Sequence, residues 1–182
     1  MAVLNAGINF RDAPQEIRKR FWGPADTVFF PAGTDLYRFL SPPGWHFDLL
    51  TQDATADPFF QGNRVLSDSW VDCDTFADIA RWAHETDLPI AVIAQTGLGV
   101  KATWNPSMAE FGWVKLRVPA YGLKGASNRR MFDRYLSGEG ITQIWMPNIT
   151  TNVALPGGRA TVEALIPSFA DLGKKPSLRS PS

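Results

Sequence analysis

The chain predicts an α+β domain, a compact unit with a mainly antiparallel sheet and a few short helices. Three observations lead there. Candidate elements follow one another as helix, strands, helices, strands rather than in steady βαβ alternation. The stretch Phe111 to Val118 sets Val114, Leu116 and Val118 against Trp113, Lys115 and Arg117. That is the period of two of a half-buried antiparallel strand. Finally, 15 Gly and 14 Pro in 182 residues make turns frequent and disfavour long helical bundles.

Taken in order, the first helix is expected to open at Asp12 as cap, with Gln15 in capping-box spacing. Ala13, Ile17 and Phe21 share its inner face, and Gly23-Pro24 stops it. Thr27–Phe30 and Asp35–Leu40 read as short strands, and Pro31-Ala-Gly33 between them suggests a turn joining adjacent strands. Residues 41–70 show no sustained period and read as a long loop with at most short helical turns, packed down by Trp45, His46, Phe47, Phe59 and Phe60. Asp72 or Asp74 then caps the clearest helix, whose Phe76, Ile79, Ala80 and Ala83 form a one-sided stripe. The apolar run Leu88–Ala94 fits a buried strand or a second helix equally. A short basic helix is expected from about Asn128 to Leu136, ended by Gly138. Ile141–Met146 and Ala160–Ile166 complete the list as strands. The domain is expected to span 1–166, with 167–182 a disordered, mildly basic tail rich in Ser, Pro, Lys and Gly.

Composition excludes several functions. Eighteen Lys+Arg balance 18 Asp+Glu, so the surplus of cations on which nucleic-acid affinity rests is missing. A single cysteine, Cys73, excludes an internal disulfide framework and a cysteine-based zinc cluster, and two histidines offer little else to a metal. Asp72 and Asp74 beside Cys73 should raise its pKa and blunt its nucleophilicity. No stretch approaches 18 apolar residues, so no membrane span is expected. The opening Met1-Ala-Val-Leu-Asn-Ala-Gly lacks the basic and apolar regions of a secretory signal. A cytoplasmic protein is therefore expected, or one exported by a system that needs no signal peptide.

The familiar catalytic patterns fit poorly. Gly97-Leu-Gly99-Val-Lys-Ala102 matches the dinucleotide pattern G-x-G-x-x-A. Asn105-Pro106 would break the following helix, however, and no acid occurs from 111 to 132 to hold a ribose, so these read as turn glycines. His46 lies too near Asp48 to be oriented by it, His84 on the capped helix reads as solvated or packing, and no G-x-S-x-G elbow is present. Arg129, Arg130 and Arg134 read as a solvated basic face.

Two charged residues stand in apolar strands. Arg38 in Leu36-Tyr-Arg-Phe39 and Glu163 in Thr161-Val-Glu-Ala-Leu-Ile-Pro167 each need a partner or a ligand, because a buried unpaired charge is costly. Gln143 lies between them in Thr142-Gln-Ile-Trp145. Together these segments resemble the ADP-ribosyltransferase fold of small bacterial toxins. The resemblance implies that Arg38, with Tyr37 beside it, holds NAD as substrate. It casts Glu163 as the catalytic carboxylate that stabilises an oxocarbenium-like transition state while nicotinamide leaves, with Gln143 lining the cleft. Thr161 stands where that family has the first Glu or Gln of its motif, and no middle Ser-Thr-Ser strand is matched. An ADP-ribosyltransferase or NAD glycohydrolase is implied, acting on a protein target or held by a cognate partner protein.

Other readings stay open. A salt bridge from Arg38 to an acid elsewhere would explain it without a ligand. The seven Trp and twelve Phe suit a non-enzymatic interaction protein, an adaptor, immunity-type or assembly component using a Trp/Phe-rich surface. Trp45, Trp104 or Trp113 could instead stack on sugar rings.

Overall fold

The computed structural model describes residues 2–41, 67–101, 105 and 107–162. In chain order the elements are α1 (Gln15–Arg18), β1 (Asp26–Phe30), β2 (Asp35–Leu40), β3 (Ser69–Asp72), α2 (Cys73–Thr86), α3 (Ile90–Gly97), β4 (Glu110–Leu116), β5 (Ala120–Asn128), a 3-10 turn (Arg129–Met131), β6 (Glu139–Trp145) and β7 (Ala154–Thr161). The seven strands form one sheet in the order β1-β5-β6-β3-β2-β4-β7, every neighbouring pair antiparallel. The expected α+β class is thus the observed one.

Alternation along the strands sorts side chains onto two faces. Tyr37 and Phe39 point to the side covered by α2 and α3, where Phe76, Ile79, Ala80, Ala83, Ile90 and Ala94 bury against Val71, Met108 and Phe111. Leu36 points to the other side and packs with Trp70, Val114, Leu116, Ile144, Met146 and Ile149. A third cluster joins Ala13, Ile17, Phe21 and Ala25 to Leu123 of β5, so the short N-terminal helix is held by its inner face. The face assigned to that helix from sequence is the one that packs.

The capped helix forms as expected. Asp72 is its N-cap and accepts a hydrogen bond from the Thr75 N–H at 2.8 Å. Its stripe Phe76, Ile79, Ala80 and Ala83 is buried, and Asp87 ends the helix in the left-handed region at φ 55°. The ambiguous apolar run is helical: Ile90, Ala94 and Gly97 face inward at spacings of four and three, and Pro89 starts the helix where no N–H is needed.

Several expectations are overturned. The first helix begins at Gln15 behind Pro14 and is not capped by Asp12, which closes a turn with Asn9 instead (Asn9 Nδ2 to Oδ2 2.8 Å; Asp12 N–H to Asn9 Oδ1 2.9 Å). The strands β1 and β2 are not neighbours: β1 pairs with β5, and β2 lies between β3 and β4. The turn at Pro31–Gly33 is real, but its backbone bonds to the end of β4, with Gly33 N–H donating to Leu116 O at 2.7 Å. The last two residues of the expected long loop, Ser69 and Trp70, open the strand Ser69–Asp72. Residues 42–66, with Trp45, His46, Phe47, Phe59 and Phe60, lie outside the described residues. The basic helix shrinks to the 3-10 turn Arg129–Met131, because β5 runs through to Asn128. The last strand starts earlier than expected, at Ala154, and the expected tail 167–182 lies outside the described residues.

The outermost strand β7 has its own character. It carries Pro156 and the pair Gly157-Gly158, its register with β4 shifts between Trp113 and Val114, and the Trp113 indole lies where a Cβ on either glycine would stand.

Asp72 ties the sheet to the helix twice, as N-cap and through Lys124 Nζ of β5 at 2.5 Å. Burial pushes its carboxyl up, but the bonds from Lys124 and the Thr75 N–H outweigh that and hold it below its ordinary value. A depressed carboxylate stabilises the fold above the unfolded-state pKa, and that contribution is lost as pH falls through the folded one. Replacing Asp72 by Ala should therefore cost about 1–2 kcal/mol at pH 7. The gap in urea midpoint from wild type should narrow on moving to pH 3. An equal gap at both pH values would show that the charge of Asp72 is idle.

Candidate functional site

The strand β3 is four residues long and is shared by two half-sheets. It pairs with β2 only at Leu36↔Asp72 and Tyr37↔Val71, and with β6 only at Ser69↔Trp145 and Trp70↔Ile144. Past Tyr37, β2 stays with β4, whereas β3 veers away toward β6. A cleft of about 700 Å³ opens along that divergence, the size of many small-molecule sites. Tyr37, Arg38 and Phe39 of β2 line one side and Ser67–Val71 another, with Leu98–Val100, Met108, Met131, Arg20, Asn128 and Gln143 completing the wall.

Arg38 stands where the gap begins. Asp68 O faces β6 and accepts from the Met146 N–H at 2.8 Å, so by alternation Ser69 O faces the gap. Arg38 Nη1 crosses and donates to Ser69 O at 3.2 Å and to Ser67 Oγ. Its Nε is shut off from solvent and has no hydrogen-bond partner among the described residues. Among the described residues Arg38 forms no ion pair, so the salt-bridge reading finds no acid here. Burial pushes the guanidinium down to about 10, Asp68 pulls it back up, and Arg20 pushes it down again. At neutral pH it remains a cation.

The residues singled out from sequence are only partly brought together. Arg38 and Gln143 both line the cleft. Gln143 is already engaged, its Nε2 donating to Arg20 O at 2.7 Å. Tyr37 also borders the cleft, but its ring stacks on Phe76 at 4.5 Å and 9°, and is as much core as site. Burial, then Cys73 and Asp35, push its phenol up to about 12, so it is neutral. Burial likewise pushes the Cys73 thiol up, with Asp74, Asp35 and Asp72 adding to the rise against a hydrogen bond from Tyr37. The expected weak nucleophile is what the structure contains. Glu163 lies outside the described residues. The chain reaches it through Val162, which packs in the same cluster as the cleft residue Met108 and whose N–H donates to Ala109 O at 2.9 Å.

Sequence reasoning passed over Arg20 and Asp68. Arg20 Nη1 lies 3.4 Å from Asp68 Oδ1 and donates to Ser69 Oγ at 3.1 Å. Trp145 Nε1 donates to the other Asp68 oxygen at 3.0 Å. With side chains 36% and 42% exposed, the Arg20–Asp68 pair contributes about 0–1 kcal/mol. In sequence, Arg20 hides at the end of Arg18-Lys-Arg20, which looks like any solvated basic run.

The glycine pattern that mimics a dinucleotide loop follows a helix here, not a strand: Gly97 ends α3 and Gly99 forms the turn after it. Gly99 has φ +67°, and a Cβ there would sit 2.5 Å from Asn128 O at the cleft wall. Gly7 has φ +84° but open space around it. Gly7→Ala should cost about 1–2 kcal/mol, the price of left-handed backbone alone. Gly99→Ala should cost clearly more, read as the larger drop in melting temperature. Equal losses would mean that the Gly99–Asn128 approach is soft.

No family model matches the chain, and no curated protein does. Two solved structures resemble it. "Rhs1-CT in complex with cognate immunity protein RhsI1" is matched at TM-score 0.48 and 14% identity, over 82% of this chain and 97% of that one. "Structure of Tne2 in complex with Tni2" is matched at TM-score 0.41 and 12% identity, over 75% of this chain and 91% of that one. Neither likeness carries a role to a residue of this chain.

Proposed function

We propose that the chain is a toxin or effector domain that consumes NAD in the cleft between the half-sheets. The observation that carries this reading is Arg38: a cation at the mouth of the sheet divergence, with a buried, unpartnered Nε, inside a cleft otherwise largely apolar. Such a site suits a ligand that pairs anionic groups with flat apolar rings. Arg38 would hold the pyrophosphate, with Gln143 lining the cleft. Glu163 is assigned the carboxylate role toward the nicotinamide ribose. The bond between ribose C1′ and the nicotinamide nitrogen breaks, its electron pair leaves with nicotinamide, and the cation-like sugar is stabilised by the carboxylate. Water adds to C1′ and loses a proton in a glycohydrolase; a nucleophilic side chain of a protein target does so in a transferase.

A second reading concerns a cognate partner protein. Tyr135 is 80% exposed, and Trp22 is 42% exposed under the Arg130 guanidinium, 5.0 Å from its ring centroid. Aromatic and arginine side chains together are what protein interfaces enrich, and a partner seated there would lie near the cleft residues Asn128 and Met131.

Calorimetric titration with NAD tests the first reading. Wild type should bind saturably, and Arg38→Ala should weaken binding about tenfold or more. Glu163→Gln should abolish turnover while keeping the melting temperature within a few degrees. Free ADP-ribose as product would indicate the glycohydrolase, and label on a protein the transferase. No heat from folded wild type would sink the NAD reading and favour the interaction one.

A further inference from the structure

The cleft holds a second cation, and it is mounted with care. Arg20 O accepts from Gln143 Nε2 at 2.7 Å and from the Asn128 N–H at 2.8 Å, so β5 and β6 fix the backbone of Arg20 from two sides. Its guanidinium reaches across to β3. There Arg20 Nη1 donates to Ser69 Oγ at 3.1 Å while Arg38 Nη1 donates to Ser69 O at 3.2 Å, so both guanidiniums converge on one residue. Asp68 is the sole carboxylate among the described lining residues, which together carry two positive charges against one negative. The tie between Arg20 and Asp68 is long, at 3.4 Å, and half open to solvent. Asp68 is not stranded when that tie breaks, because Trp145 Nε1 at 3.0 Å and Ser69 Oγ at 3.3 Å still donate to it.

We propose that Arg20 is a specificity residue that exchanges Asp68 for the second phosphate of a diphosphate ligand, while Arg38 holds the first. This rests on the NAD reading above and sharpens it: the site selects nucleoside diphosphates and dinucleotides over monophosphates. Asp68 acts as a placeholder that keeps Arg20 extended across the cleft when no ligand is present. One guanidinium per phosphate gives each phosphate its own charge-assisted hydrogen bonds. A monophosphate satisfies only one of them.

The test is titration of AMP, ADP and NAD into the full chain, with melting curves to show that each variant folds. Wild type should bind ADP about tenfold or more tightly than AMP. Arg20→Ala, which keeps the carbonyl that Gln143 and Asn128 hold, should bring ADP down to the AMP level while leaving AMP within about twofold; Arg38→Ala should weaken both. Asp68→Asn should tighten ADP about threefold or more, because Arg20 no longer has a competing charge, an effect that a merely structural role would not produce. If Arg20→Ala weakens AMP and ADP equally, or if Asp68→Asn weakens ADP, the role assigned to Arg20 is wrong while the NAD reading stands. If wild type binds neither ADP nor NAD, the NAD reading falls first.

Discussion

The strand β3 has to serve two sheets with four residues. Its last two residues pair with β2 and its first two with β6, so it slants from one half-sheet to the other. What fixes the slant is burial. Trp70 is 2% exposed, and its indole N–H donates to Ser67 O at 2.9 Å, pinning the segment where it leaves β2. At the other end Asp72 starts α2, so the helix cannot shift without moving the strand. The cleft is the volume that this compromise leaves unfilled, and its shape is therefore set by the same packing that holds the two halves together. A site built on strand ends of a packed sheet is more sharply positioned than one carried by loops.

The electrostatics follow from that geometry. Divergence of β2 and β3 turns Ser69 O toward the gap, and Arg38 fills part of the space that a backbone N–H of a continuous ladder would have occupied. A guanidinium carries five N–H donors, and the buried Nε of Arg38 is left without a partner among the described residues. Removing Arg38 from water lowers its proton affinity, Asp68 raises it again, and the second guanidinium nearby lowers it by less. Among the described residues, tertiary structure thus brings two like charges close to one carboxylate, a local imbalance within a chain whose formal net charge is zero.

How much of this was legible beforehand depended on how local each signal was. The strand β2 was readable to the residue, because Leu36, Tyr37, Phe39 and Leu40 make Asp35–Leu40 mostly apolar, a turn precedes it, and it contains no glycine. The helix α2 was readable because its cap and stripe are consecutive facts of one segment. The strand β5 was invisible for an equally physical reason. Its Gly122 and Gly125 lower strand propensity, and they are needed because a Cβ would press on Ile144 and Met146 at one position and on Ala25 and Phe21 at the other. Pairing partners were not readable at all: Pro31–Gly33 announces a reversal but not that β1 and β2 then join different halves of the sheet. In the site, Arg38 and Gln143 were visible as polar residues in apolar strands. Arg20 was not, since the two donors that fix its carbonyl in the cleft wall come from residues more than a hundred positions away.

The outer strand β7 has a consequence of another kind. A sheet that ends in a bare strand offers its free backbone groups to any passing chain, and a domain that opens its sheet in the middle has all the more reason to close it at the rim. Proline at 156 offers no N–H, the two glycines after it give an incoming strand no side chains to grip, and the register shift opposite Trp113 bends the edge away from straight pairing. The same residues that make β7 a poor template for a neighbour are thus a safeguard against fibrillar stacking, built into one of the two strands that end the sheet among the described residues.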